Sequence, residues 1–258
     1  MTDSASQPNL NSFFNSNFNN IINCIDSTLN DPKNTQFNIS LPLNDITIRS
    51  AVKLWFGTTE DKQLCITLHG HISDWNTSCV RNMSQLFHSK FDFNEDISRW
   101  NVEHVTTFKE MFYHCTVFNQ PLNNWNVSNA TDFSNMFDHC TLFNQSLDKW
   151  CTKSAENMSF MFNGCEHFDQ PLNSWQTNKV KYMNYMFARC KRFNQPLNKW
   201  DVSSVQTMES MFFKCYEFNQ ILTEWNVKEN LKYNKYMFHD CLKLDELQKE
   251  FINSFVNE

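Results

Sequence analysis

A chain of 258 residues with 41% hydrophobic and 15% aromatic content can bury a core in one or two domains. Its net charge of −6 comes without the clustered Lys and Arg that phosphate backbones require, which argues against a nucleic-acid partner. No run approaches the ~18 consecutive apolar residues of a membrane span. The polar stretch Met1 to Leu10 lacks a basic-then-apolar leader, so the chain reads as intracellular.

Residues 1–43 form a leading segment. Leu10, Phe13, Phe14, Phe18, Ile21, Ile22, Ile25 and Leu29 share one helical face, and Asp31-Pro32 ends the pattern. The opposite face is mostly Asn and Ser, so this helix needs a partner surface. Residues 44–75 read as a terminal cap. Ile48, Val52, Trp55 and Phe56 predict a helix over 46–56 that stops at Gly57. Leu64, Ile66 and Leu68 alternate with Cys65 and Thr67 and predict a half-buried strand.

From residue 75 the chain repeats. Trp75, Trp100, Trp125, Trp150, Trp175, Trp200 and Trp225 stand 25 residues apart. A fixed period in this range is the mark of a stacked repeat. In one copy Val105, Phe108, Met111, Phe112 and Cys115 fit a helical face of about three turns. Ser78, Ser128, Asn178 and Ser203 are the expected N-caps, with Glu103, Lys153 and Lys228 breaking that rule. The second half of the copy, F-N-Q-P-L-N-x-W, holds a short extended piece near Pro121 or around Trp125-x-Val127. The expected fold is therefore an α/β solenoid over 76–245, one helix and one short strand per repeat. The recurring Asn119, Gln120 and Asn123 are expected to bond the backbone of the next repeat. Cys115, Cys140, Cys165, Cys190 and Cys215 also recur every 25 residues and read as a buried, reduced column. The last copy carries one inserted residue near Lys228 to Asn230. Residues 246–258, with Leu247, Phe251, Ile252 and Phe255, predict a final capping helix.

The unit M-F-x-x-C-x-x-F-N-Q-P-L-N-x-W-N-V-S-x, seen at Met111 to Asn129, resembles the 25-residue repeat of BspA-type, mycoplasma lipoprotein-type surface proteins. Ala51-Val52-Lys53-Leu54-Trp55 and Gly70-His71-Ile72-Ser73-Asp74-Trp75 resemble the N-terminal portion of that family. The resemblance covers about residues 44–245. It implies a leucine-rich-repeat-like solenoid used in attachment or protein binding.

No catalytic motif stands out. His114-Cys115 and His139-Cys140 lack the spacing of a zinc site, and no metal, cofactor or catalytic residue is expected. The chain reads as a monomeric, non-enzymatic interaction scaffold, with a surface or virion adhesin as the alternative. If strands pair ~4.8 Å apart and helices ~9 Å apart, each repeat turns about 20–25°, giving a concave face. The candidate protein-binding residues are the variable ones before each Trp: Arg99, Asn124, Lys149, Ser174, Lys199 and Glu224.

Overall fold

The computed structural model describes residues 42–227 and 231–245. The predicted helices over 10–29 and 246–258 lie outside the described residues. Helix α1 spans Thr47–Trp55 and buries Ile48, Ala51, Val52 and Trp55, as the spacing predicts. Asn44 Oδ1 accepts the N–H groups of Ile46 and Thr47 at its start. Helix α2 spans Thr59–His69, and here the expected strand is wrong. Thr58 and Asp61 form a reciprocal capping box that starts a helix ahead of the alternating run. Only Cys65 of that helix is buried, while Leu64 and Leu68 stay exposed. A short 3₁₀ turn, Ile72–Asp74, leads into the repeats.

The expected α/β solenoid, with a helix and a strand in each repeat, is also wrong. Among the described residues there is no repeat helix and no named strand. Each 25-residue coil instead carries a ladder of tight turns where the helix was expected. The N–H groups of Phe108, Glu110, Phe112 and His114 donate to the carbonyls of Asp132, Ser134, Met136 and Asp138 in the next coil, at 2.8–2.9 Å. The intervening Met111, Tyr113 and Cys115 donate back three residues within their own coil. Glu110 and His114 take left-handed φ of 55° and 58° to make this alternation possible. Parallel pairing is reduced to isolated bridges running Asn82, Thr107, Asp132, Asn157, Tyr182, Thr207, Tyr233.

The coil spacing explains the error. Successive phenylalanines of the Phe112 column lie 5.5–5.8 Å apart, centroid to centroid. Packed helices need 8–10 Å between axes, so helices cannot stack at this pitch. Val105, Phe108, Met111, Phe112 and Cys115 do all point inward and are fully buried. Their pattern records one buried face but does not distinguish a helix from a run of turns. The second phenylalanine column repeats at 5.6–6.1 Å, and Trp150, Trp175 and Trp200 at 6.1 and 6.3 Å. With no wide helical side there is no source for the expected 20–25° turn per repeat.

Three side-chain ladders lock the coils in register. Each indole N–H from Trp100 to Trp225 reaches a carbonyl 28 residues back, as Trp150 does to Leu122 at 2.9 Å. Each column thiol donates likewise, Cys165 to the Phe137 carbonyl at 3.0 Å. Asn94, Asn119, Asn144, Asp169 and Asn194 each accept, through Oδ1, the backbone N–H 25 residues on and the Gln amide beside it. These side-chain oxygens satisfy backbone groups that would cost about 1–3 kcal/mol each if buried unpaired. The expected caps are corrected too. Asn76, Asn101, Asn126 and Asp201, directly after Trp, accept the N–H two residues on, so Glu103 breaks no rule.

At the first coil, Asp45 Oδ1 accepts the N–H groups of Arg81 and Asn82, and Arg49 donates to the Ser84 carbonyl. Trp55 packs edge-on against Trp75 at 6.0 Å. These contacts give the first coil the neighbour it would otherwise lack.

Burial raises the thiols of the column. Cys115 and Cys241 are pushed up to about 12, Cys65 to about 11, and Cys140, Cys165, Cys190 and Cys215 well above the ordinary range. The thiolate is the reactive form. In native protein at pH 8, a disulfide-exchange reagent should therefore modify the half-buried Cys151 and leave this column untouched. Labelling of Cys165 before unfolding, read by peptide mass mapping, would contradict the buried column.

Candidate functional site

The turn ladder has an outward face as well as an inward one. Its outward slots change from coil to coil, whereas the F-N-Q-P-L-N half repeats Asn, Gln and Pro. The slot of Glu110 reads Gln85, Glu110, Asn135, Phe160, Tyr185, Ser210, Tyr236. The slot of His114 reads Ser89, His114, His139, Gly164, Arg189, Lys214, Asp240. All of these residues have positive φ, and all but the buried Gly164 and Ser210 reach the surface at least in part. Left-handed geometry suits Gly or Asn and costs a non-glycine residue roughly 1–2 kcal/mol. Aromatic and basic residues in it make this face a candidate site in their own right.

In the early coils the face is a histidine cluster. His88 stacks on Tyr113 at 4.6 Å, and His114 on His139 at 4.4 Å with the rings 8° apart. One oxygen of buried Asp138, Oδ1, meets both His139 Nδ1 at 2.7 Å and the side-chain amide of Asn163 at 2.7 Å. Gly164 must be small: a Cβ there would stand 3.2 Å from the His139 ring, at φ +72°. Glu110 closes the cluster, meeting Gln85 Nε2 at 2.7 Å and His88 Nε2 at 3.7 Å. Among the described residues no three His, Cys, Asp or Glu side chains converge as metal ligands.

His114 is held below the ordinary imidazole range, first by burial and then by the charges of His139 and His88, against the pull of Asp138. Near pH 6 the folded chain then binds fewer protons than the unfolded one. This contribution to stability is complete above the unfolded value of ~6.5 and is lost as pH falls through the lower folded value. His69, lowered by burial alone, acts in the same direction. The urea midpoint should therefore drop between pH 7.5 and 5.5, and His114→Gln should shrink that drop. An unchanged drop would remove His114 as a source.

In the later coils the face turns aromatic and basic. Phe160 stacks on Tyr185 at 4.7 Å. Arg189 donates to Asn163 Oδ1 at 3.2 Å and lies 5.5 Å from the centre of the Phe213 ring, with Lys214 at 5.1 Å. Tyr182, Tyr233 and Tyr236 are 40%, 62% and 63% exposed, so these large rings are not there to fill the core.

The six residues singled out before each Trp are all exposed and fall on a different edge of the stack. Arg99 pairs with Asp74. The backbone N–H groups of Lys149 and Lys199 bond Asn123 and Asn173 Oδ1, and the Ser174 hydroxyl bonds the Asp148 carbonyl. Asn124 and Glu224 complete the line. None of the six joins the turn-ladder face. Reading the ladder as a helix assigned its outward residues to a solvated side; the usable signal was aromatic and histidine residues recurring 25 apart in otherwise polar slots, as His114 and His139 or Phe160 and Tyr185 do.

Stacked 25-residue coils with inward ring columns and a variable outer face define a repeat protein. The family described as Mycoplasma protein of unknown function, DUF285, matches residues 59–167 and 131–251, and the chain belongs to that family. No curated protein matches the chain, and neither does any solved structure. No helix among the described residues is long and apolar enough to cross a membrane.

Proposed function

We propose that the chain is a non-enzymatic platform for protein partners, a BspA-type solenoid acting inside a cell. One observation carries this reading. The inward slots repeat the same rings, while the outward turn-ladder slots change from Gln85 to Glu110 to Phe160 to Tyr185 to Tyr236. Core constancy beside surface variety is what a stack needs to present different contacts along its length. Tyr and Arg are also the side chains that most often anchor protein interfaces.

Affinity capture tests it with three full-length baits: the unaltered chain, Lys149→Glu/Lys199→Glu, and Tyr185→Ser/Arg189→Glu. A protein retained by the first and lost from one variant supports the platform and assigns its face. An identical set of captured proteins on all three baits overturns it.

Attachment at a cell or virion surface is the second reading, and Cys79 favours it. That residue is disulfide-bonded. Disulfides persist where the compartment is oxidising. Intact mass of the protein from its native source, before and after reduction, separates the two: no mass change supports the intracellular reading.

A further inference from the structure

We propose that the turn-ladder face of the last three coils binds an acidic, extended segment of a partner protein, a proposal that rests on the platform reading. Charge is the first argument. Three cations of the stack reach across to an acid of the neighbouring coil: Lys181 to Glu156 and Lys191 to Glu166 at 2.7 Å, Lys243 to Glu217 at 2.6 Å. Arg189, Lys214, Lys232 and Lys235, like Lys149 and Lys199 on the other edge, form no ion pair with any described residue. Arg189 and Lys214 hold the same slot of adjacent coils, and Lys232 and Lys235 stand three apart in the last coil, in a chain whose net charge is −6. On this face the acids are fewer: Glu209, and Asp240 against His239 at 3.3 Å.

Aromatic surface is the second argument. Tyr182 in one coil, with Tyr233 and Tyr236 in the last, adds exposed rings to the same face, and Tyr185 is half-buried there. Tyr185, Arg189, Lys214 and Tyr236 hold φ of 56–61°, so their direction is set by the turns and not chosen by the side chain. Phe213 is flanked by the guanidinium of Arg189 and the ammonium of Lys214. That packing holds both cationic groups over the ring, ready for a carboxylate, and lowers the ordering cost of binding.

Pitch is the third argument. The inward rings of these coils repeat every 5.6 Å, which sets the advance from one coil to the next. Extended chain rises ~3.3 Å per residue, so alternate residues, ~6.6 Å apart, advance about 1 Å more than one coil and keep step over the three coils of this face. The geometry points to acids at every second position, with the residues between them turned away.

The test uses the full-length protein and three labelled probes: a ten-residue peptide alternating Glu and Ala, the same peptide with Lys for Glu, and oligo-dT of ten nucleotides. The Glu peptide should bind at low salt, and Arg189→Glu/Lys214→Glu should weaken it at least tenfold while leaving the thermal midpoint within two degrees or so. Tyr182→Ser/Tyr236→Ser serves as the second variant and should weaken it as well. Lys149→Glu/Lys199→Glu should leave binding unchanged. Equal binding of the Glu and Lys peptides, or tighter binding of oligo-dT, overturns the proposal. Loss with Lys149→Glu/Lys199→Glu and not with Arg189→Glu/Lys214→Glu overturns this face and leaves the platform reading standing. If both double variants bind the Glu peptide as the parent does, this face fails, and the capture experiment alone decides the platform.

Discussion

Trp150→Ala should cost about 3–5 kcal/mol, the largest loss expected from any single side chain in the stack. Trp150 is 1% exposed and touches three rings: Trp175 at 6.1 Å, Phe133 at 5.9 Å and Phe137 at 6.5 Å. Its indole N–H also serves the Leu122 carbonyl of the preceding coil. Alanine leaves a cavity between coils that neither neighbour can close, because both are pinned by their own ladders. A domain of this size shifts by roughly 2–4 °C per kcal/mol, so the midpoint should fall by about 10 °C. Trp150→Phe keeps a six-membered ring and loses the N–H with the rest of the indole. It should recover more than half of the loss in urea unfolding. The position matters as well as the side chain. Trp225→Ala, near the end of the stack, should fray the last coil first, since stability in a linear array is a sum over neighbours. A Trp150→Ala midpoint within 2 °C of the parent would mean that the columns do not carry the fold.

The buried columns were legible in the sequence because burial depends on side-chain identity at a fixed period. Val105, Phe108, Met111, Phe112, Cys115, Phe118, Leu122 and Trp125 all stand inward, and Cys115 is a free thiol. The bonding of Asn119 and Gln120 to neighbouring coils was legible too, since buried backbone groups require partners. What failed was the backbone path between the columns. Spacings of 3, 1 and 3 suit a helix, and nothing in Phe108 to Cys115 announces that Glu110 and His114 turn left-handed. That choice is made by the neighbouring coils, whose 5.5–5.8 Å pitch excludes a helix, and pitch is a property of the stack. The site was missed for the same reason. A helix would spread Glu110, Tyr113 and His114 over a solvated side, whereas the turns gather them with Asp138 and His139 of the next coil. In α2 the capping signal of Thr58 and Asp61 was present and was outweighed by a five-residue alternation too short to decide between helix and strand.

Register should prove more fragile than any side chain. One Ala inserted between Glu110 and Met111 should abolish the cooperative unfolding transition, and one inserted between Ser128 and Asn129 should leave it within about 1 kcal/mol of the parent. Inside the ladder, alternate N–H groups go to the next coil, so a one-residue slip aims the wrong set at it. Phe112 and His114 would lose their acceptors at Met136 and Asp138, at about 1–3 kcal/mol for each group left unpaired. Met111, Phe112 and Cys115 would leave their inward slots at the same time, each large apolar side chain being worth about 1.5–3 kcal/mol. The chain already contains the tolerated case. Thr207 pairs with Tyr233, one residue beyond the usual spacing, and the Cys241 thiol reaches the Phe212 carbonyl 29 residues back where the other column thiols span 28. Met237, Cys241 and Leu244 are nevertheless buried, so an extra residue between Val227 and Leu231 is absorbed without displacing the next coil. The junction at Ser128 and Asn129 is the same point of an earlier coil, and there the main loss is the bond from the Asn129 amide to the Glu103 carbonyl. Circular dichroism melts of the two insertions, with labelling of Cys115 as a second readout, decide the matter. Equal damage from both insertions would mean that the junction is as tightly held as the ladder, and that the spacing of the last coil has some other cause.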